Sequence, residues 1–331
     1  MRVLVTGSSG HLGEALVRVL SGKGHEVVGV DLLPSPYTDV VGSVTDRKLV
    51  AECMRGTDAV IHVATLHKPH IATHGYQDFI DTNVTGTLRL LEQAAAAKIG
   101  SFVLTSTTSV FGSALNPPRH APAVWVTEEL SPVPKNIYGV TKRAAEDLVE
   151  LFHLDHGLPC LILRTSRFFA EPDDNPSMRD TYEDMNIKVN EMLYRRVDLE
   201  DAVTAHLLAI EKAPTLGFGR YIISATTPFG QKDVVALGRD AASVVRQRVP
   251  ECLAVYDRLG WKLLPTIDRV YDNKSARDAL GWQPKYDFRH SVARLQIGED
   301  PRSDLAIGIG AKGYITAPGY PNSQSRTPTR P

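Results

Sequence analysis

Tyr138 and Lys142 stand four residues apart in the stretch YGVTK, so on a helix both side chains leave the same face. A free tyrosine ionises near pH ~10 and is a weak base at neutral pH. A neighbouring ammonium, with any further cation in the site, favours the phenolate. It thereby makes Tyr138 a usable acid/base for moving a proton to or from a secondary alcohol. A tyrosine and a lysine at this spacing also meet by chance on ordinary helices, so the weight of the pair depends on what precedes it.

What precedes it is a glycine triplet near the start of the chain. Gly7, Gly10 and Gly13 follow the apolar run that ends at Thr6. Leu12, Ala15, Leu16, Val19 and Leu20 then recur at helical spacing, and a second apolar run over 27–30 closes on Asp31. Strand, glycine turn, helix, strand and acid is the order of a dinucleotide site. The turn lets the backbone approach a pyrophosphate, the helix N-terminus offers unpaired N–H groups, and the acid can hydrogen-bond an adenosine ribose. A carboxylate at position 31 repels a 2′-phosphate, and no Arg or Lys follows it before Arg47. The cofactor is therefore expected to be NAD rather than NADP, and an oxidised nicotinamide would be the further cation beside Tyr138.

Composition narrows the remaining classes. The 37 Lys and Arg balance 38 Asp and Glu to a net charge of −1, so no basic face and no nucleic-acid partner are expected. Cys53, Cys160 and Cys252 are odd in number and far apart, which suits reduced thiols rather than a disulfide or zinc framework. His67, His70 and His74 share a loop interrupted by proline, with no cysteine or carboxylate pair to complete a set, so no metal is expected. The first strand begins at Arg2, and no apolar run reaches membrane-spanning length. The expectation is a soluble, cytoplasmic enzyme acting on a small molecule, with no membrane partner.

These groups need a frame. Apolar runs at 59–64, 102–104, 161–163 and 221–224 read as further strands, and helical spacing recurs near 47–54 and over 81–97, 138–156 and 202–210. Strands alternating with helices predict an α/β fold, a doubly wound parallel (Rossmann) sheet of about seven strands with a small C-terminal substrate cap. The nucleotide-binding domain is expected over 1–165 plus about 197–225. The cap is expected over about 166–196 and 226–300, with 166–195 irregular and only short helices beyond Pro228. The tail 317–331 has the composition of disorder.

At this point the chain resembles a family. TGSSGHLG at 6–13, IHVAT at 61–65, NVTGTLRLLEQA at 83–94, FVLTSTTSVFG at 102–112, YGVTK at 138–142 and YDNKSARDALGWQP at 271–284 are similar to the extended short-chain dehydrogenase/reductases. This is the NAD-dependent epimerase/dehydratase group. The resemblance covers about residues 1–290 and implies roles residue by residue. Gly7, Gly10 and Gly13 would hold the pyrophosphate, with His11 and Leu12 of the same turn also touching the cofactor, and Asp31 would hold the ribose. Ala64 and Thr65 would line the cofactor, and Asn83 would brace the helix it opens. Tyr138 would be the acid/base, and Lys142 would bind the nicotinamide ribose and lower the tyrosine pKa. Thr107 would be the third catalytic member, with Ser106 taking the role if the register is off by one. Thr107 and Thr108 would face the substrate. A homodimer through the Asn83 and Tyr138 helices is implied.

The departures from the family pattern also speak. The Asp-Glu that follows the catalytic Thr in 4,6-dehydratases is Thr108-Ser109 here, so dehydratase activity is not expected. The Gly-Asp pair that touches adenine is Gly42-Ser43. The Asn that nucleotide-sugar members carry after the sixth strand is Arg167, and Glu191 stands near their diphosphate-binding Arg, with Arg195 and Arg196 close by. Arg167 and Arg196 read either as anion-binding groups for the substrate or as ion-pair residues. The function expected is NAD-dependent hydride transfer at a CH–OH carbon of a sugar or sugar-like molecule, by a nucleotide-sugar epimerase or a dehydrogenase. The alternatives are a dehydrogenase or reductase of a small non-nucleotide alcohol or ketone, and a non-catalytic NAD-binding protein.

Overall fold

The structure, a computed structural model, describes residues 1–313; the tail expected at 317–331 lies outside the described residues. The strands are β1 (Arg2–Thr6), β2 (Glu26–Asp31), β3 (Val40–Val41), β4 (Ala59–His62), β5 (Ser101–Thr107), β6 (Val124–Val126), β7 (Cys160–Thr165), β8 (Phe218–Ile223) and β9 (Arg269–Tyr271). Seven of them form one parallel sheet in the order β3-β2-β1-β4-β5-β7-β8, while β6 and β9 pair in a separate ribbon. Chain order reverses between β1 and β4, and a ligand crevice belongs outside the carboxyl ends of the strands at such a switch point.

The helices are α1 (His11–Gly22), α2 (Arg47–Met54), α3 (Tyr76–Phe79), α4 (Gly86–Ala97), α5 (Ile137–His156), α6 (Pro176–Thr181), α7 (Asp184–Glu191) and α8 (Leu199–Leu216). The C-terminal part adds α9 (Val234–Arg248), α10 (Cys252–Leu259), α11 (Lys274–Leu280), α12 (Phe288–Gln296) and α13 (Asp304–Ile309). The sheet's alternate side chains feed two buried layers. Val3, Val5, Ile61 and Leu161 meet the apolar faces of α1 and α8. On the other face, Leu4, Val60, Phe102 and Ile162 meet α2, α4 and α5. A third cluster, with Leu237, Val245, Tyr256, Ile267 and Phe288, holds the C-terminal helices together and includes Val189 and Leu193. Among the described residues no helix is long and apolar enough to cross a membrane.

Several elements differ from expectation, each for a physical reason. The helix read over 81–97 begins at Tyr76 and runs through a π-helical segment, Ile80–Thr85, before α4. Asn83 therefore sits inside a helical stretch rather than opening one. Strand β5 extends to Thr107 because Thr105, Ser106 and Thr107 are polar yet buried. The segment read as irregular over 166–195 contains α6 and α7; α7 buries Asn186, Lys188, Asn190 and Glu191, so it shows no apolar stripe. Beyond Pro228 the helices are short as expected, since α9 is broken at Asp240 (φ −151°, ψ 74°) into two shorter helices.

Candidate active site

The glycine turn leads from β1 into α1. Gly7 has φ +75°, and a Cβ there would lie 2.8 Å from the Ala64 backbone nitrogen. A Cβ on Gly13 would lie 1.9 Å from the Gly7 carbonyl oxygen, so the helix can start this close to the strand only with glycine at 13. Gly10 is the N-cap of α1 and no side chain caps it, which leaves the first helical N–H groups for an anion. His11 and Leu12 are buried in the first turn, and His11 Nε2 lies 3.2 Å from a Glu171 carboxylate oxygen. Asp31 ends β2 and accepts hydrogen bonds from Ser9 N (3.0 Å) and Leu33 N (2.9 Å), placing a carboxylate beside the turn. A close backbone approach, an uncapped helix start and an acid at the end of β2 fit a dinucleotide.

The loop after β4 is fixed by a directional hydrogen-bond chain. Thr6 Oγ1 accepts from Val63 N (3.2 Å) and Ala64 N (3.1 Å), so its own proton goes to His62 Nδ1 at 2.7 Å. His62 then carries its proton on Nε2 and donates to Thr87 Oγ1 (3.0 Å), which donates to the Asn83 carbonyl (2.6 Å). Burial, reinforced by the Lys142 charge, holds the His62 pKa down at about 3, so the ring stays neutral. Asn83 uses all four side-chain positions within the protein. Oδ1 accepts from Thr65 Oγ1 (2.9 Å) and Leu66 N (2.8 Å), and Nδ2 donates to the Leu66 carbonyl (2.9 Å) and Thr141 Oγ1 (3.0 Å). Asn83 thus holds Thr65 and Leu66 against α5.

The carboxyl end of β5 meets the start of α5. Asn136 caps α5 through Gly139 N (2.9 Å), and Tyr138 and Lys142 follow on one buried face. Thr107 accepts from Ser109 N (3.1 Å), and its side chain lies near the Tyr138 phenol. Ser106 points to the other side of the strand and donates to Glu146 Oε1 at 2.6 Å, so the register places Thr107, not Ser106, beside the phenol. Thr108 is buried in the turn that follows. Burial raises the Tyr138 pKa to about 12 against the lowering effect of the Thr107 hydrogen bond. Without cofactor, desolvation is the dominant influence on the phenol. Lys142 is itself depressed to about 8 by burial, opposed by the Glu146 charge.

Glu146 escaped the sequence reading. It is fully buried, one turn beyond Lys142, and is held by Arg164 through Nε (3.1 Å) and Nη2 (2.7 Å). It thereby ties the helix bearing Tyr138 and Lys142 to β7 and, through Ser106, to the strand bearing Thr107. Its position four residues after Lys142 was the available signal.

On the substrate side both arginines stand in ion pairs. Arg167 Nη1 pairs with Asp173 (2.8 Å), and Arg196 Nη1 pairs with Glu191 (2.7 Å) while Nη2 donates to the Phe169 carbonyl. His67 stacks on Phe169 and packs edge-on against His70, which meets His74 in the same way. Among the described residues no three of His, Cys, Asp or Glu form a group that could hold a metal ion.

The family model for the NAD dependent epimerase/dehydratase family matches residues 3–223. The chain belongs to this family. It is an NAD-dependent enzyme of the extended short-chain dehydrogenase/reductase type. A 3-beta-hydroxysteroid dehydrogenase of Mycolicibacterium neoaurum is 26% identical, with 96% of each chain covered. The low-salt glycan biosynthesis protein Agl12 of Haloferax volcanii is 32% identical over 53% of this chain, which spans 59% of that relative's length. A short-chain dehydrogenase/reductase superfamily protein from Agrobacterium tumefaciens, solved with bound NAD, superposes with a TM-score of 0.63 at 23% identity, covering 90% of this chain and 97% of the other. That likeness speaks for the fold.

Proposed function

We propose that the enzyme moves hydride at a CH–OH carbon of a sugar-like substrate, with Tyr138 as acid/base, Thr107 as its hydroxyl partner and Lys142 as the charge that holds the phenolate. The observation that carries this reading is Tyr138 and Lys142, one turn apart on the same buried face of α5, with the Thr107 side chain near enough to the phenol to favour its ionised form. NAD, when bound, supplies the hydride acceptor and a positive charge. Gly7, Gly10, Gly13 and the start of α1 hold its diphosphate, Asp31 its adenosine ribose, and Ala64 and Thr65 line it. Lys142 binds the nicotinamide ribose. Tyr138 Oη takes the substrate hydroxyl proton, Thr107 Oγ1 orients that hydroxyl, and Thr108 lines the same end of β5. A phenol that ionises near 12 in the protein alone needs added positive charge to serve as a base, so proton abstraction is coupled to cofactor binding.

A non-nucleotide alcohol or ketone is the second reading, favoured by the ion-paired Arg167 and Arg196 and by the hydroxysteroid dehydrogenase relative. Segments of 166–196 and 226–300, the stretch read as the cap, share a buried cluster of their own, while Ala276, Leu280 and Trp282 pack on the α1 and α8 layer. Exposed Tyr76 and Ile80 on one helix, and Val140, Leu151 and Leu154 on α5, suit a homodimer through these two helices. Free, buried Cys53, Cys160 and Cys252 suit a cytoplasmic enzyme.

The test begins with purified, dialysed protein, denatured so that released nucleotide is identified by chromatography. NAD retained near one per chain indicates a cofactor that cycles in place, as in an epimerase. Empty protein that binds added NAD reversibly indicates a dehydrogenase. NADP in its place contradicts the assignment of Asp31.

A further inference from the structure

Lys142 is one of three charged side chains buried behind Tyr138. Lys142 on α5 and Arg164 on β7 are each 1% exposed, and Glu146, one turn beyond Lys142, has no exposed surface. Glu146 is the point at which three elements of the sheet and its helix meet. Oε1 accepts from Ser106 Oγ of β5 (2.6 Å) and from Arg164 Nε of β7 (3.1 Å), while Oε2 accepts from Arg164 Nη2 (2.7 Å). Arg164 is held in turn, its guanidinium 5.0 Å over the Phe111 ring in the turn that follows Thr107. Successive side chains of a strand alternate in direction, so anchoring Ser106 toward α5 also fixes the direction of Thr107.

The Glu146–Arg164 pair is neutral by itself, and Lys142 adds a second buried cation beside it. Side chains four apart on a helix have Cβ atoms about 5–6 Å apart. At that spacing, in an interior that water does not screen, a carboxylate favours the ammonium over the amine. Burial draws the Lys142 pKa down to about 8, and Glu146 is the charge that opposes it. The other charged groups near α5 are committed elsewhere or neutral. His62 of β4 is kept uncharged by burial, with a pKa of about 3. Arg143 and Arg220 come only to 3.8 Å from Glu146, and pair with Asp147 (2.8 Å) and Glu150 (2.5 Å). The turn at Lys68–Ala72 brings Lys68, which pairs with Asp174, and His70, which burial holds neutral with a pKa of about 4. The helical stretch before α4 brings Asp78 and Asp81, both exposed, and α4 brings Arg89 and Glu92, which pair with each other (3.0 Å).

We propose that Glu146 is a positioning residue for the reaction: it holds Lys142 as an ammonium beside Tyr138 and, through Ser106 and Arg164, locks the strand that ends in Thr107 to the same helix. Having no exposed surface, it acts through Lys142 rather than on the substrate. The proposal rests on the catalytic reading given above, in which Lys142 serves as a cation.

The experiment follows Lys142 itself by NMR in full-length protein carrying isotope-labelled lysine side chains, without cofactor, from mildly acidic to strongly alkaline pH. The resonance of Lys142 is the one missing from Lys142→Met, and in wild type it is expected to titrate near 8. Glu146→Leu combined with Arg164→Met removes the carboxylate together with the arginine it would strand, and Lys142 should then lose about tenfold or more in proton affinity. Glu146→Gln, which keeps an acceptor for Ser106, is the second variant; with Arg164 retained and unopposed, a larger loss is expected. Glu146→Asp returns the charge on a shorter side chain and should restore most of the loss, which a purely structural role would not require. Ultraviolet titration of Tyr138 with and without NAD tests the catalytic reading separately, so the two can fail independently. A Lys142 titration unchanged from wild type in the double variant or in Glu146→Gln, or no recovery in Glu146→Asp, overturns the proposal.

Discussion

Replacing Lys142 with methionine should make the protein more stable while removing its activity. Lys142 is 1% exposed, and burial depresses its pKa from 10.5 to about 8, so at neutral pH the fold carries an ammonium it does not favour. At about 1.4 kcal/mol for each tenfold change in the proton equilibrium, that displacement costs roughly 3 kcal/mol. For a chain of this size, about 2 °C per kcal/mol converts the relief into a rise of roughly 6 °C in Tm. The sign with pH follows from proton binding. Below about 8 the cost is present in full. Between about 8 and 10.5 the unfolded chain binds the extra proton, so wild-type stability rises with pH and the advantage of Lys142→Met shrinks. Thermal unfolding without cofactor, at neutral and strongly alkaline pH, reads this directly. A Tm at or below wild type at neutral pH, or an advantage unchanged at alkaline pH, refutes the reasoning.

Other perturbations separate positioning from chemistry. Glu146→Gln strands Arg164 in the core, where it should cost about 3–5 kcal/mol in a denaturant titration, whereas the paired change Glu146→Leu with Arg164→Met should recover most of it. Gly13→Ala forces a Cβ to within 1.9 Å of the Gly7 carbonyl oxygen, so folded protein should lose NAD binding by calorimetry; full-affinity binding would contradict the turn geometry. Asp31→Ala should weaken NAD by roughly 1.5–3 kcal/mol and narrow the preference over NADP, read as the ratio of the two dissociation constants.

How much of this was legible in the sequence depended on whether a residue's role follows from period or from partners. The β1-turn-α1-β2 unit was plain because glycine spacing and the 3.6 period act over a few residues. The end of β5 was not, since Thr105, Ser106 and Thr107 are polar and their burial comes from neighbouring strands. Helix α7 hid for a similar reason: its buried residues include Asn190, bonded to the Lys262 carbonyl, and Glu191, bonded to Arg196. The β6–β9 ribbon joins Val124–Val126 to Arg269–Tyr271, a pairing no local pattern encodes. Within the site, spacing put Tyr138 and Lys142 on one face. It carried no information on desolvation, which sets both their pKa values, nor on the distant Asp173 and the neighbouring Glu191 that occupy Arg167 and Arg196.

The central claim, that Tyr138 becomes a base when cofactor charge arrives, has a direct readout that needs no substrate. Tyrosine ionisation would be followed by ultraviolet difference spectroscopy in wild-type protein and in Tyr138→Phe, each with and without oxidised NAD. The account predicts that NAD lowers the pKa of one tyrosine from about 12 by roughly 2 or more, and that Tyr138→Phe binds NAD but lacks this titration. An identical titration with and without NAD, or one that persists in Tyr138→Phe, would contradict it.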